Sequence, residues 1–215
     1  MNITFTLILI TGIFTYMGFE NYSLFEKYKF SVAGIHRGEY YRFITGAFLH
    51  ADWNHFIFNM LTLYFFGDFI QFIFGVNGLL MIYFAGIILG HYLSYYFHKK
   101  ESYYAAIGAS AGVNAIIFSA ITFQPDMTLK LYFFIPILGI IFAVGYLWYT
   151  VMGTQNQRSR IGHEAHFGGA VAGVVLAIIL KFKDSFEAHP LQTLLIIAIL
   201  IGGYFYIDKK NKMYW

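Results

Sequence analysis

The sequence lacks cysteine and carries little charge. Because there is no cysteine in 215 residues, disulfides, cysteine zinc sites and a thiol nucleophile are all excluded. Lys, Arg, Asp and Glu together make up 12% of the residues, about half the share found in an ordinary soluble domain. The net charge of +3 is spread along the chain, so we expect no nucleic-acid partner.

Apolar and aromatic residues dominate what is present. They form seven runs, each long enough to cross about 30 Å of hydrocarbon as a helix, and the runs cover residues 3–19, 55–74, 79–97, 105–123, 131–152, 163–180 and 191–207. The sequence therefore predicts an all-α polytopic membrane protein in a lipid bilayer. The first run has no basic segment before it and no small-residue cleavage site after it, so we expect a retained span rather than a signal peptide.

The spacing of these runs predicts two parts. Residues 1–182 contain six spans, and residues 183–215 contain a seventh span and a short basic tail. The long connection 20–53 is rich in aromatic and charged residues, and we expect it to lie in the membrane interface.

Polar side chains are placed at the starts of the second, fourth and sixth runs. His50, His55 and Asn59 surround the start of the second, Ser110 lies in the fourth and His166 in the sixth. These three spans run in the same direction, so their first residues lie at one side of the membrane. Ionisable groups within spans are functional by default. We therefore expect these side chains to converge on one site.

This set of side chains suits acyl transfer. A serine hydroxyl such as that of Ser110 becomes a nucleophile when a base accepts its proton, and histidine, here His166, is the usual base near neutral pH. The oxyanion that forms needs fixed hydrogen-bond donors, which Asn59, His55 and the backbone N–H of Ser110 can supply.

Small residues recur every four positions on the fourth and sixth spans. Such ridges allow two membrane helices to approach closely. They are Ala111, Ala115 and Ser119 on the fourth span, and Ala165, Gly169, Gly173 and Ala177 on the sixth. A close approach is expected to bring Ser110 within hydrogen-bond reach of His166.

Four short motifs follow one another along the chain. They are Tyr41-Arg42; His50 with His55 and Asn59; Gly108-Ala109-Ser110-Ala111; and Ala165-His166 with Gly169 and Gly173. In these motifs, over residues 36–181, the sequence resembles the rhomboid intramembrane serine proteases.

The resemblance implies a serine endopeptidase that cleaves transmembrane segments of other membrane proteins without a cofactor or metal. It implies that Ser110 is the nucleophile and His166 the base, as a dyad with no carboxylate, and that Asn59 and His55 line the oxyanion hole. His50 is a supporting residue. It also implies a multi-pass protein, which we expect in a bacterial inner membrane.

Three further positions have expected structural roles. Arg42 is expected to anchor the first loop through hydrogen bonds to carbonyl groups. Ala111 stands where the family commonly has glycine, so its methyl group is expected to loosen the contact between the fourth and sixth spans. Asn114 stands where some members place a tyrosine against the catalytic histidine, and we expect its amide to bond the imidazole of His166 instead.

Three other functions fit the sequence less well. An inactive relative that binds transmembrane clients would usually lack the serine or the histidine, and both are present. A metal site of His50, His55 and His166 lacks the H-E-x-x-H pattern and a neighbouring carboxylate. A transporter is disfavoured because no motif recurs.

The orientation predicted from charge conflicts with the resemblance. Eleven of the fourteen Lys and Arg residues lie on the side where Ser110 is expected, which would make that side cytoplasmic. The family usually opens its site to the outside, and we expect the same here.

Overall fold

The structure, a computed structural model, describes residues 2–131, 134–154 and 161–213. Within these ranges the chain is mainly helical, which confirms the all-α prediction. The helices are α1 (Ile3–Glu20), α2 (Tyr22–Tyr28), α3 (Val32–His36), α4 (Arg42–Thr45), α5 (Trp53–His98), α6 (Ser110–Phe123), α7 (Gly139–Gly153), α8 (His163–Leu180) and α9 (Pro190–Met213). There are also a 3₁₀ turn (Gly46–Phe48) and a π-helical turn (Lys183–Glu187). Two short antiparallel strand pairs join β1 (Phe30–Ser31) to β2 (Ala105–Ala106) and β3 (Thr128–Leu131) to β4 (Ile135–Leu138).

Helices α1, α5, α8 and α9 are long and apolar enough to cross a membrane, and α6 and α7 are shorter apolar helices. The 46 residues of α5 are interrupted at Gly75, whose φ of 73° and ψ of 175° are not helical and suit glycine. The first half of α5 ends beside the last residue of α6, where the Phe74 and Phe123 rings lie 5.9 Å apart. Gly90, in the second half, lies back beside Ala111. The two halves are therefore antiparallel, and the described residues contain seven apolar helical segments.

Helix α6 occupies the centre of the bundle. Every residue from Ala111 to Thr122 is buried. With 14 residues, the helix is about 21 Å long, against about 30 Å for the hydrocarbon core. It is thus too short to reach both membrane faces, so at least one of its ends lies within the hydrocarbon layer.

Two predicted spans begin too early. The run 105–123 becomes helical only at Ser110, because Gly108 has a φ of +112° and residues 105–106 pair with β1. The run 131–152 becomes helical only at Gly139. Residues 135–138 before it pair with β3, and Pro136 within β4 disfavours a helix there because proline lacks an N–H. Most of the connection between the predicted spans 131–152 and 163–180 lies outside the described residues.

The first loop is folded around a buried arginine. Arg42 is 5% exposed and donates from Nη1 to the carbonyl oxygens of Glu26 (2.8 Å) and Lys29 (2.7 Å), and from Nε to Glu39 (2.5 Å). The hydrogen bonds from Arg37 and Arg42 hold the pKa of Glu39 below its usual range. Arg42 thus ties α2, its following turn and α4 together through carbonyl groups.

The same loop is attached to the segment before Ser110. Besides the β1–β2 pair, the N–H of Val32 donates to the carbonyl of Tyr104 (3.1 Å), and the N–H of Gly108 donates to the carbonyl of Gly46 (3.0 Å). The backbone hydrogen bonds of the segment that leads into α6 are therefore made to the first loop.

Candidate active site

Helices α6 and α8 touch through their backbones. A Cβ atom built on Gly169 would overlap the carbonyl oxygen of Ala111, and one on Gly173 would overlap that of Ala115. The Ser119 hydroxyl donates to the carbonyl of Gly173 at 2.9 Å. The small-residue ridges are therefore in direct contact, and any side chain larger than hydrogen at these two glycines would separate the helices.

The second half of α5 packs against both α6 and α8 at this contact. A Cβ on Gly90 would lie 2.6 Å from the carbonyl oxygen of Ala165 and 2.7 Å from the methyl group of Ala111, and one on Gly86 would overlap Ala115. The methyl group of Ala111 thus faces Gly90 on α5. Its carbonyl, rather than its methyl, meets Gly169 on α8, so the methyl is accommodated by a glycine of a different helix.

This packing brings the predicted nucleophile and base together. Ser110 is the first residue of α6, and His166 lies in the first turn of α8. The Nε2 atom of His166 is 2.7 Å from the Oγ atom of Ser110, and both residues are partly exposed. The distance and the partial exposure allow the hydroxyl to give its proton to the imidazole while Oγ attacks an incoming carbonyl.

The other nitrogen of His166 contacts a residue that the sequence analysis missed. The hydroxyl of Tyr146, on α7, lies 3.1 Å from Nδ1. The two rings are 6.3 Å apart at 23°, near the outer limit for offset aromatic pairs. Asn114, expected to bond the imidazole, lies instead beside the Tyr146 hydroxyl. The sequence held one indirect signal, the absence of a tyrosine at position 114.

The opposite side of Ser110 is formed by the turn at Gly108. A Cβ on Gly108 would lie 2.6 Å from Cε1 and 2.7 Å from Nε2 of His55, so the His55 ring covers this turn at close range. One helical turn further along α5, the Asn59 amide donates to the His55 carbonyl at 3.0 Å. An amide nitrogen has two hydrogens, and this bond uses one of those of Asn59.

His50 is hydrogen-bonded to the same turn. It is 1% exposed; its Nδ1 lies 2.9 Å from the Thr15 hydroxyl, and its Nε2 accepts from the Ala109 N–H at 3.3 Å. Because the Thr15 hydroxyl donates to the Phe48 carbonyl, it accepts from Nδ1–H of His50. Burial, and then the neighbouring His55, lower the pKa of His50 to about 3.

The backbone N–H groups of Gly108, Ala109 and Ser110 have different hydrogen-bonding roles. The Gly108 N–H donates to the carbonyl of Gly46, and the Ala109 N–H donates to Nε2 of His50. The Ser110 N–H begins the helix, where backbone N–H groups lack an intrahelical acceptor. It is therefore a candidate oxyanion donor, together with His55 and Asn59.

The three-histidine metal site does not fit this arrangement. Both ring nitrogens of His50 are engaged, with Thr15 and with the Ala109 N–H, and Nε2 of His166 faces Ser110. Within the described part of the chain, no three His, Asp or Glu side chains are grouped so that they could hold a metal ion.

Comparison with known proteins agrees with the motifs. Residues 37–183 match the family model of the Rhomboid domain. RHOMBOID-like protein 12, mitochondrial, of Arabidopsis thaliana is 32% identical over 78% of this chain and 55% of its own length. The Rhomboid protease GluP of Bacillus subtilis (strain 168) is 28% identical over 80% of this chain and 32% of its own length. Rhomboid-like protein 11, chloroplastic, of Arabidopsis thaliana is 27% identical over 68% and 55%.

The chain spans 32% to 55% of the length of these relatives. The apolar helices and the relatives make it an integral membrane protein. Two of the three relatives are named as mitochondrial or chloroplastic, and therefore the expectation of a bacterial inner membrane is not supported.

Proposed function

The chain belongs to the rhomboid family, and we propose that it is an intramembrane serine endopeptidase that cleaves transmembrane segments of other membrane proteins. The observation that supports this most strongly is the 2.7 Å contact between Ser110 Oγ and His166 Nε2. A named protease among the relatives is in line with the proposal. The activity resides in the six-span part, residues 1–182, to which the seventh span is appended.

The proposed reaction begins with the Ser110 hydroxyl. His166 Nε2 accepts its proton as Oγ attacks the carbonyl carbon of the scissile peptide, and the carbonyl oxygen becomes an oxyanion. The Ser110 N–H, the His55 ring and the Asn59 amide stabilise that charge, since they are fixed before the reaction starts.

The intermediate then collapses in two stages. The imidazolium of His166 returns its proton to the leaving nitrogen, so that the new amine departs and an acyl group stays on Ser110. Water next attacks the acyl carbon, giving its proton to Nε2, and the acid product leaves as the proton returns to Oγ. His166 therefore serves as base and acid in turn, and no metal or cofactor is required.

The position of the dyad supports a membrane substrate. Ser110 begins a helix too short to span the bilayer, and we propose that this first residue is the end that lies below the surface, where a soluble peptide would have to leave water. A transmembrane segment is already at this depth. Its helix must unwind locally before a carbonyl can meet Oγ, and small or helix-breaking residues near the cleaved bond make this easier.

The test uses the full chain in liposomes with a tagged transmembrane substrate. Ser110→Ala should abolish cleavage while the melting temperature stays near that of the wild type. Ser119→Ala, on the same helix, is the matched control. It removes a hydroxyl that bonds only the Gly173 carbonyl, so it should lose some stability and keep cleaving. Cleavage by Ser110→Ala would overturn the proposal. A wild-type protein that binds the substrate without cutting it would indicate the inactive, client-binding alternative.

A further inference from the structure

We propose that Tyr146 is a positioning residue for His166, and that its hydroxyl holds the imidazole in the tautomer that can accept the Ser110 proton. This inference rests on the proposed function. It adds a third member, on a third helix, to the Ser110–His166 pair.

The geometry links both nitrogens of one ring. Nε2 of His166 faces Ser110 Oγ at 2.7 Å, and Nδ1 faces the Tyr146 hydroxyl at 3.1 Å. A neutral imidazole has one N–H donor and one acceptor nitrogen. For Nε2 to act as base, Nδ1 must carry the hydrogen and donate it to the oxygen of Tyr146. In the other tautomer Nε2–H points at Ser110, and the pair cannot start the reaction.

A hydroxyl can donate as well as accept, so something must set its direction. Asn114 and Thr150 both place a side chain beside the Tyr146 hydroxyl, and Asn114, which is 4% exposed, carries an amide oxygen that can only accept. If its amide oxygen accepts the phenol hydrogen, the Tyr146 oxygen is left to accept from Nδ1–H. The hydrogen bonds then run in one direction, from Ser110 to His166, on to Tyr146 and finally to Asn114.

The ring of Tyr146 is held in place by other aromatic rings. Phe142 stacks on it at 5.5 Å and 18°, and Phe118 of α6 lies 6.0 Å away. These contacts fix the ring whether or not the hydroxyl is present. Removing the oxygen alone therefore separates a positioning role from a packing role.

The kinetic test is Tyr146→Phe in the liposome assay. The aromatic packing stays, so the melting temperature should change little. Because the hydroxyl does not touch the substrate, KM should be unchanged, while kcat should fall about tenfold, the scale of one hydrogen bond lost from a transition state. Tyr149→Phe is the matched control: Tyr149 is 49% exposed on the same helix, and kcat should equal that of the wild type. Equal kcat in Tyr146→Phe and wild type would overturn the inference.

A spectroscopic test does not depend on cleavage. In histidine labelled with ¹⁵N, the two ring nitrogens report the tautomer, and His166→Asn identifies the signals of His166. Wild type should show a protonated Nδ1 and an unprotonated Nε2, and both Tyr146→Phe and Asn114→Ala should shift His166 toward a mixture. The same tautomer in all three proteins would overturn the inference, even if the variants are less stable.

The two tests separate this inference from the proposed function. If the wild type neither cleaves nor reacts at Ser110, the protease function fails, and the tautomer readout still decides the role of Tyr146. If the wild type cleaves and Tyr146→Phe is unaffected in both readouts, only the role of Tyr146 fails.

Discussion

The two sides of Ser110 are built in different ways. On the side of the catalytic base His166, here called the base side, α5, α6 and α8 meet at glycines. Backbone atoms there set the distance between Ser110 and His166. On the oxyanion side, the turn at Gly108 is held by hydrogen bonds from the first loop, through Gly46 and His50. One side is fixed by steric contact and the other by polar bonds.

The difference has physical consequences. Backbone contacts cannot relax when bulk is added, because no side chain can turn aside. Hydrogen bonds tolerate small shifts, but they depend on partners, and one partner here is a histidine that can titrate. We therefore expect the base side to be sensitive to side-chain volume, and the oxyanion side to be sensitive to donors and to pH.

The largest effect is expected for Gly169→Val. The valine would overlap the Ala111 carbonyl, push α8 from α6 and lengthen the Ser110–His166 contact. Overpacking costs about 1–3 kcal/mol, and a shift of about 1 Å between reacting groups can cost about 10²-fold in rate. Activity in the liposome assay should therefore fall by about 10²-fold or more, out of proportion to the loss in melting temperature.

Two glycines of α9 serve as controls for Gly169→Val. Among the described residues, the nearest neighbours of a Cβ on Gly203 are the side chains of Val151 and Phe167, and one on Gly202 meets nothing within 4 Å. Gly203→Val should therefore lose less activity than Gly169→Val, and Gly202→Val should resemble the wild type. Equal losses at all three glycines would mean that the backbone contact does not position the dyad.

An intermediate effect is expected for Asn59→Ala, on the oxyanion side. Its donor acts on the charged intermediate more than on the bound substrate, so kcat should fall and KM should change little. Loss of one such donor costs about 10²–10³-fold where it is the main one. Since His55 and the Ser110 N–H remain, we expect about 10²-fold in steady-state assays. A variant that melts early but retains the wild-type kcat would make Asn59 a packing residue.

The smallest effect is expected for the pH dependence set by His50. Its ordinary pKa of 6.5 is lowered to about 3 in the fold, so the folded state favours the neutral ring. The stability that this provides is fully present above pH 6.5 and is lost as the pH falls toward 3. Each pH unit in that window is worth up to about 1.4 kcal/mol.

The measurement is the melting temperature in detergent from about pH 7.5 to about pH 5, values that bracket the ordinary histidine pKa. His50→Gln cannot titrate, so its melting temperature should fall less steeply on acidification than that of the wild type. His36→Gln, at an exposed histidine of the same loop, should keep the wild-type slope. If the melting temperatures of wild type and His50→Gln fell equally with pH, the titration of His50 would not contribute to the pH dependence of stability.

Helical periodicity made the centre of the site predictable. Ser110 and His166 could be paired from sequence because α6 and α8 run in the same direction and carry small residues at four-residue spacing. The helical register fixes which residues face each other once two helices are known to touch. The same logic applies to His55 and Asn59, whose spacing of four residues places them on one face of α5.

Contacts that depend on loops or on a third helix were not predictable. Tyr146 lies in a helix whose start was misplaced, because the β3–β4 hairpin interrupts an apolar run. The bond from His50 to the Ala109 N–H depends on the path of the first loop. The methyl of Ala111 meets Gly90 only because α5 reverses at Gly75. None of these contacts has a fixed sequence spacing.

The most direct test of the central claim, that His166 activates Ser110, is covalent labelling with a fluorophosphonate, followed by mass spectrometry of the digested protein. The wild type should carry the phosphonyl adduct on Ser110. His166→Ala keeps the hydroxyl but lacks the base, so it should label at least about 10²-fold more slowly, as expected for loss of general-base assistance. An adduct on another residue, or equal labelling of Ser110 with and without His166, would contradict the claim.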